Sequence, residues 1–407
     1  MDLQLSWRNI WRNPRRTAVI LTAVMIGVWC MVVFSALSRG MMQQMVRNSI
    51  NNLTGHIQIH HAGYRSDPIV TNSISDTARV VSALEQVLGP EDQCTLRVRV
   101  GAVANNARHS DGVTLVGILP EQEATVSFIG GAVTEGRYLS PDDVNQIVIG
   151  RALAEKFETK IGRKLILMSQ DMDLEIASRA FRIVGLFDSE FEATEKSFVF
   201  VPIQTARKML KLGEAASEVA IVLPDRVDPE AVAQKLSERL HQDDLSVETW
   251  YVLQPMIKTM YELFYGFIYI WYLVVFIAMG FGIVNTTLMA VFERMREFGL
   301  LKALGMKPWR ILRGVMIETL IVLILGIGLG NAMALATHWL LGTTGVNLTA
   351  FAAGTETWGI SRIIYPVLTG GDVMIADGVV FVLGLLVSIY PALKAARFTP
   401  IEALAKT

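Results

Sequence analysis

The chain has 407 residues, with 37 Lys and Arg against 38 Asp and Glu, for a formal net charge of -1. Hydrophobic residues make up 52% and charged residues only 18%, where an ordinary soluble domain carries roughly 25% charged residues. That deficit excludes a uniformly soluble or disordered chain, and the lack of a basic excess argues against a nucleic-acid binder. Cys30 and Cys94 are the two cysteines, one inside an apolar run and one isolated, so neither a disulfide framework nor a cysteine-based zinc site is expected.

Residues 1–16 open the chain as an amphipathic helix. Leu3, Trp7, Ile10, Trp11 and Pro14 fall on one stripe, flanked by Arg8, Arg12, Arg15 and Arg16. Such a helix lies in the membrane interface. A first membrane span over 17–38 follows. Its uncharged stretch exceeds the h-region of a signal peptide, and Ala36-Leu37-Ser38 makes a poor cleavage site, so it reads as an uncleaved anchor.

Residues 39–262 form a large α+β domain with at least two lobes, reached by the first span continuing outward as a stalk. Gly55–His61 and Cys94–Val100 alternate as strands, the latter with Arg97 and Arg99 facing outward. Helices are expected over Asp76–Leu88, from Ser140-Pro141, from Pro202 to Leu210 and over Asp228–Leu240. His56, His60 and His61, with His109 as a further member, form one tempting metal cluster. On a strand His61 points away from His56 and His60, so three ligands cannot converge without a bend, and the expectation is no metal site. The chain carries no G-x-S-x-G, no H-E-x-x-H and no Gly-Lys dipeptide, so no nucleophile elbow, zinc-protease motif or phosphate loop is present.

A second span covers 263–292, with Asn285 polar at membrane depth and expected to bond a neighbouring helix. The connecting segment 293–318 begins with a short helix stopped by Gly305 and Pro308. Leu300, Leu301 and Leu304 share a stripe beside Glu297 and Phe298, which suits a protein partner; the alternative is a plain connector. The third span, 319–343, carries Gly326, Gly330 and Ala334 at four-residue spacing, a pattern for close helix packing. A loop over 344–372, a fourth span over 373–393 and a tail over 394–407 complete the chain. In the tail Thr399, Pro400 and Glu402 spell a capping box.

Segments 1–16 and 293–318 each carry net +3 and the tail +2, whereas 39–262 carries -7 and 344–377 carries -2. By the positive-inside rule both termini and the 293–318 segment are expected in the cytoplasm and 39–262 outside it.

Three stretches together carry a resemblance. They are Arg8-Asn9-x-x-Arg12, Glu293-Arg-x-Arg-Glu-x-Gly-Leu-Leu-Lys-Ala-Leu-Gly305, and Tyr390-Pro-Ala followed by Pro400-Ile-Glu-Ala-Leu404. With weaker support from Ile147–Ala154 and Phe181–Phe187, the chain resembles the FtsX/MacB-like permease superfamily of ABC transporters, and in particular the lipoprotein-releasing (LolC/LolE-type) permeases. The match runs along essentially the whole chain; the 344–372 loop is longer than that pattern. The resemblance implies a non-catalytic, multi-pass subunit of the bacterial inner membrane, with four transmembrane helices and a MacB-like periplasmic core between the first two.

It further implies a dimer of ABC ATPase subunits holding ATP and magnesium, a second permease chain, and no cofactor on this chain. Membrane lipids and a periplasmic lipoprotein carrier or adaptor would be the other partners. The ATPase-coupling residues would be Glu293, Arg294, Glu297, Phe298, Leu301, Lys302, Leu304 and Gly305, and the membrane-interface helix would present Trp7, Arg8, Trp11 and Arg12. An acyl chain needs an apolar cleft, for which Met25, Trp29, Val33, Phe264, Phe267 and Trp271 are candidate walls; alternatively each faces lipid or a neighbouring helix. The implied function is extraction of a lipoprotein or lipid-like substrate from the inner membrane. FtsX-like signal relay to a periplasmic partner and MacB-like efflux mechanotransmission are the alternatives, and a receptor without an ATPase fits the 293–305 motif poorly.

Overall fold

The computed structural model describes residues 2–240, 244–349 and 360–398. In chain order the helices are α1 (Asp2–Arg12), α2 (Pro14–Ser49), α3 (Thr77–Val87), α4 (Pro120–Val126), α5 (Ile129–Ala132), α6 (Arg151–Lys156) and α7 (Glu192–Ser197). They continue as α8 (Ile203–Leu210), α9 (Pro229–Leu240), α10 (Trp250–Leu253), α11 (Pro255–Glu293), α12 (Met295–Ala303), α13 (Pro308–Thr344) and α14 (Gly370–Arg397). The main strands are β1 (Ile57–His61), β2 (Gln93–Asn105), β3 (Ser110–Ile118), β4 (Val133–Gly136), β5 (Gln146–Gly150), β6 (Lys164–Gln170), β7 (Ile176–Phe187), β8 (Phe198–Pro202), β9 (Glu218–Val222) and β10 (Leu245–Thr249). Contacts divide the described residues into a helical unit (2–43, 260–349 and 363–398) and an α+β unit (44–240, 244–259 and 360–362).

In the helical unit, α2, α11, α13 and α14 are each long and apolar enough to cross a membrane. Their common core is built from Val24, Val28 and Met31 of α2, Phe276 and Ile283 of α11, Leu323 of α13, and Ala376 and Val380 of α14. Lipid tails are as apolar as these side chains, so helix association depends on close packing rather than on the hydrophobic effect. Small residues provide it. A Cβ at Gly326 would lie 2.6 Å from Val24, and one at Gly330 would lie 2.7 Å from Val28 and 2.8 Å from the Met25 carbonyl. Ala334 completes that face, 1% exposed. Asn285 lies exposed on α11 rather than buried against a neighbouring helix, because the inward face of this turn is taken by Ile283 and Thr287. A bidentate pair at 2.6 and 2.7 Å joins Arg39 of α2 to Asp372, where Thr369 caps α14.

The α+β unit has one ten-stranded sheet, ordered β10-β1-β9-β2-β3-β8-β5-β7-β4, with β6 pairing both β2 and β7. Strands β1, β2, β9 and β10 with helices α3 and α9 form a β-α-β-β-α-β lobe in the order β10-β1-β9-β2. Inserted between β2 and β9, strands β2-β3-β8-β5-β7-β6 return to β2 and close as a small barrel. The thirteen-residue β2 serves both lobes. Its first residues pair with β9 and its last with β6. The barrel encloses Leu115, Ile149, Leu167, Phe181 and Val199; Ile57, Ile59, Val80, Leu84, Ile221 and Leu236 fill the other lobe.

Several predicted elements form as the local signals require. Asp76 caps α3 by accepting from the Arg79 N–H, and Pro202 ends β8 and leads into α8. Two expectations fail in this unit. Ser140-Pro141 starts a turn, not a helix, because the Asp143 carboxylate takes the Ser140 N–H at 2.9 Å and chelates Arg137, and β5 begins at Gln146. Arg97 does not face outward. It is fully buried, donating to Glu123 at 2.8 and 2.9 Å, to Glu218 at 3.2 Å and to the Leu53 carbonyl at 2.5 Å. Paired carboxylates offset the cost of burying the charge. Leu53 itself holds a left-handed φ of +69° in the turn where α2 gives way to β1.

The histidines diverge. His56 Nδ1 accepts from the Leu223 N–H, His61 Nδ1 accepts from the Gly63 N–H, and His60 Nδ1 meets the His61 carbonyl. Among the described residues no group of three His, Cys, Asp or Glu side chains could hold a metal ion.

Candidate functional site

The site builds from the ends of α11 and α13 outward. Between them, Arg294 interrupts the helical path and α12 begins at Met295; Gly305, at a φ of +91°, turns the chain back toward Pro308 at the start of α13. This returning segment is fastened to the helical unit on three sides.

On the first side, α1 ends at Arg12 and the chain re-enters helix at Pro14, so Pro14 belongs to α2 and not to the α1 stripe. The Thr17 hydroxyl donates to the Ile10 carbonyl at 2.5 Å and fixes that corner. Arg12 then pairs with Glu297 at 2.6 Å, and both Asn13 (3.0 Å) and Arg16 (3.2 Å) reach Glu293. The shared hydrogen bond with Glu297 raises the Arg12 pKa. On the second side, Glu318 of α13 receives Arg294 through both oxygens at 2.9 and 3.0 Å, and Asn9 at 2.8 Å. On the third, the Lys302 ammonium donates to the Ala396 and Phe398 carbonyls at 2.6 and 2.8 Å, the orphan acceptors at the end of α14.

Among the predicted coupling residues, Glu293, Arg294, Glu297 and Lys302 are therefore engaged within the helical unit, although Glu293 and Glu297 stay exposed. Phe298 packs on the cluster of Val291, Ile311, Val315, Ala392 and Ala395. Leu301 is half-buried, whereas Leu300 and Leu304 are exposed, Leu304 at 78%. With Trp309 they leave an apolar surface on this end of the chain. The α1 stripe also divides: Ile10 is buried, while Trp7 and Trp11 stay exposed with their rings edge to face and Arg8 lies in the open. Sequence reading did not single out Glu318 or Asn13, single polar residues outside any local pattern. The predicted tail cap at Thr399, Pro400 and Glu402 lies outside the described residues.

The candidate cleft residues do not share one wall. Trp29 donates through Nε1 to Thr337 of α13 at 2.9 Å, and Trp29 and Val33 pack on the bundle core; Met25 is half-buried beside Gly330. Phe264 is half-buried on α11, while Phe267 is 60% exposed and Trp271 is 37% exposed with its ring 4.7 Å from that of Phe34.

Comparison with known families matches residues 17–239 to the MacB-like periplasmic core domain and residues 269–400 to the FtsX-like permease C-terminal domain. The chain is similar to the lipoprotein-releasing system transmembrane protein LolC of Neisseria meningitidis serogroup B, 23% identical over 95% of this chain and 93% of that protein. It is also similar to the macrolide export ATP-binding/permease protein MacB of Agrobacterium fabrum, 23% identical over 99% of this chain and 60% of that one. The crystal structure of the periplasmic region of MacB from Actinobacillus actinomycetemcomitans aligns with 52% of this chain and 94% of its own, at 15% identity and a TM-score of 0.36.

Proposed function

Because the chain belongs to the ABC transporter permeases of the MacB/FtsX/LolC type, we propose that it couples ATP hydrolysis in a separate ATPase chain to movement of its periplasmic domain, and so extracts a lipoprotein or lipid-like substrate from the inner membrane. The observation that carries this reading is the fastening of α12. A segment held to α1, α13 and α14 by charged and backbone hydrogen bonds moves with those helices, while Leu300 and Leu304 remain free for a partner. Pushing α12 would then displace several membrane helices as rigid bodies rather than flex a loop.

In this arrangement the end bearing α1 and α12 is cytoplasmic, as its basic residues favour. The ATPase pair supplies ATP and magnesium, and a second permease chain completes the complex. The likeness to LolC over nearly the whole length supports lipoprotein extraction over signal relay. The test is reconstitution in proteoliposomes with whatever ATPase and second permease co-purify with it, loaded with a fluorescent triacylated lipoprotein. ATP-dependent transfer of the lipoprotein to a soluble carrier is the expected result. ATP hydrolysis with no lipoprotein release would overturn the extraction reading, and absence of any associated ATPase would overturn the coupling.

A further inference from the structure

Asn331 of α13 and Asp377 of α14 are polar residues inside two of the long apolar helices, and the coupling scheme uses neither. Both are half-buried, and Ala334 of α13 and Ala376 and Val380 of α14, close to them along the same helices, are buried in the bundle core. The Asn331 amide nitrogen donates to Asp377 Oδ2 at 2.8 Å. The second oxygen of each side chain, Asn331 Oδ1 and Asp377 Oδ1, is buried and has no hydrogen-bond partner. An ionised carboxylate only accepts, and so does an amide oxygen. With Asp377 ionised, two buried acceptors would stay unpaired beside an uncompensated charge in an apolar span. The ionisable neighbours supply no counter-charge. Asp372 is held by Arg39 of α2 and by Thr369, Tyr272 of α11 lies in the bundle core, and His338 stands further along α13. Among the described residues none of these pairs with Asp377.

One proton removes both faults. A protonated carboxyl has an O–H donor and keeps acceptor capacity, which is what an amide offers in return. We propose that Asn331 and Asp377 form a proton-binding site between α13 and α14, with the proton on Asp377 Oδ1 and donated to Asn331 Oδ1. Acid and amide then exchange two hydrogen bonds, and no charge remains in the span. A proton needs no cavity, so the lack of exposed surface at the two oxygens suits this ligand. A metal ion does not fit as well, since it takes more oxygen ligands than these two and the neighbouring helix carbonyls are spent on the helices themselves. The two halves of the site belong to different helices, so the proton is retained while α13 and α14 stay in contact. Drawing the helices apart breaks both hydrogen bonds and leaves Asp377 to give its proton to entering water.

This site is independent of the transport reading. Its test uses the full chain in lipid nanodiscs at pH 7, with isotope-labelled aspartate to separate the protein's carboxyl bands from lipid ester carbonyls, and is read by infrared spectroscopy in H2O and D2O. The expected result is a carboxylic-acid C=O band that shifts on deuteration, vanishes in Asp377→Asn and changes frequency in Asn331→Leu, which lacks the amide. Asp377→Asn keeps a donor and an acceptor toward Asn331 without a charge, so its thermal melting should match the parent's, whereas Asn331→Leu should melt lower. Should Asn331→Leu fail to fold, loss of the band in Asp377→Asn carries the assignment. A parent spectrum with no acid band that Asp377→Asn removes would overturn the proposal. So would an acid band for Asp377 that appears only when choline replaces sodium in the buffer, which would make the ligand a metal cation.

Discussion

Arg12 Nη2 lies 2.6 Å from Glu297 Oε1, joining two motifs that stand 285 positions apart in the chain. Both side chains are largely exposed, so the pair adds little to stability and its use is to set the position of α12. Glu297→Arg should leave membrane abundance unchanged while reducing transport per ATP hydrolysed. The exchange Arg12→Glu with Glu297→Arg should recover most of it, since the coupling energy of a contacting pair survives a swap of partners. A double variant no better than the single one would assign Glu297 to the ATPase instead.

Leu304, 78% exposed beside Leu300, is the apolar anchor this end of the molecule offers. Leu304→Asp should abolish co-purification of the ATPase, because a charge seated in an apolar cleft is left unpaired and central anchors carry most of an interface's affinity, a loss of about tenfold or more. The melting temperature should not move. Leu301→Asp should lower both, since Leu301 is half-buried within the unit. Full ATPase association in Leu304→Asp would make α12 a mere connector.

What sequence revealed and what it hid follow from how far each signal reaches. The four spans were legible because about twenty apolar residues in a row need no partner to be recognised. The end of α12 was legible because Gly305 acts locally; its start at Met295, after α11 has run on through Glu293, was not. Arg97 was misread because alternation along β2 assigns a charge to the outer face, and only topology brings Glu123 and Glu218 to it from 26 and 121 positions away. The inward fastenings of α12 were hidden for the same reason: Asn9, Asn13 and Glu318 belong to no periodic pattern and meet only once the helices pack. Ser140-Pro141 carried a helix signal that a nearby carboxylate redirected into a turn.

Arg137 chelates Asp143 at 2.7 and 2.8 Å, and this hydrogen bonding holds the carboxyl below its usual pKa. The folded pKa lies below the unfolded value of about 3.9, so the stabilisation is complete above that pH and is lost as pH falls through the folded value. Arg137→Met should therefore lower the stability of the chain at neutral pH and flatten its acid limb below about pH 4. Denaturant melts across that range check it; parallel acid limbs in variant and parent would exclude the pair as a contributor.

Gly330 sits where a Cβ would lie 2.7 Å from Val28 and 2.8 Å from the Met25 backbone oxygen. The oxygen cannot rotate away, so a larger residue must push α2 from α13. Gly330→Val should destabilise the helical unit by about 1–3 kcal/mol, whereas Gly328→Val, at a position open on all sides, should not. Steric-trap or denaturant unfolding in bicelles measures the difference, and equal stability of the two variants would contradict the packing.

Arg97 is the point where the α+β unit concentrates its buried charge. Glu123 holds it through two oxygens, Glu218 through one, and its remaining bond goes to the carbonyl of Leu53, in the left-handed turn that ends the α2 path. Removing the guanidinium leaves the buried Glu123 and Glu218 carboxylates without it, and Arg99 stands 3.7 Å from Glu218. Breaking a buried pair in this way costs about 3–5 kcal/mol, because the surviving charges are neither solvated nor paired. Arg97→Met should therefore lower the unfolding free energy of the chain by that amount. Arg97→Lys keeps the charge but not the two-pronged geometry, and should fall between parent and Arg97→Met. Chemical unfolding of the three proteins at pH 7 decides the matter. An Arg97→Met protein within about 1 kcal/mol of the parent at pH 7, below the smallest cost expected for unpaired buried carboxylates, would show that this network does not hold the turn at Leu53 in place.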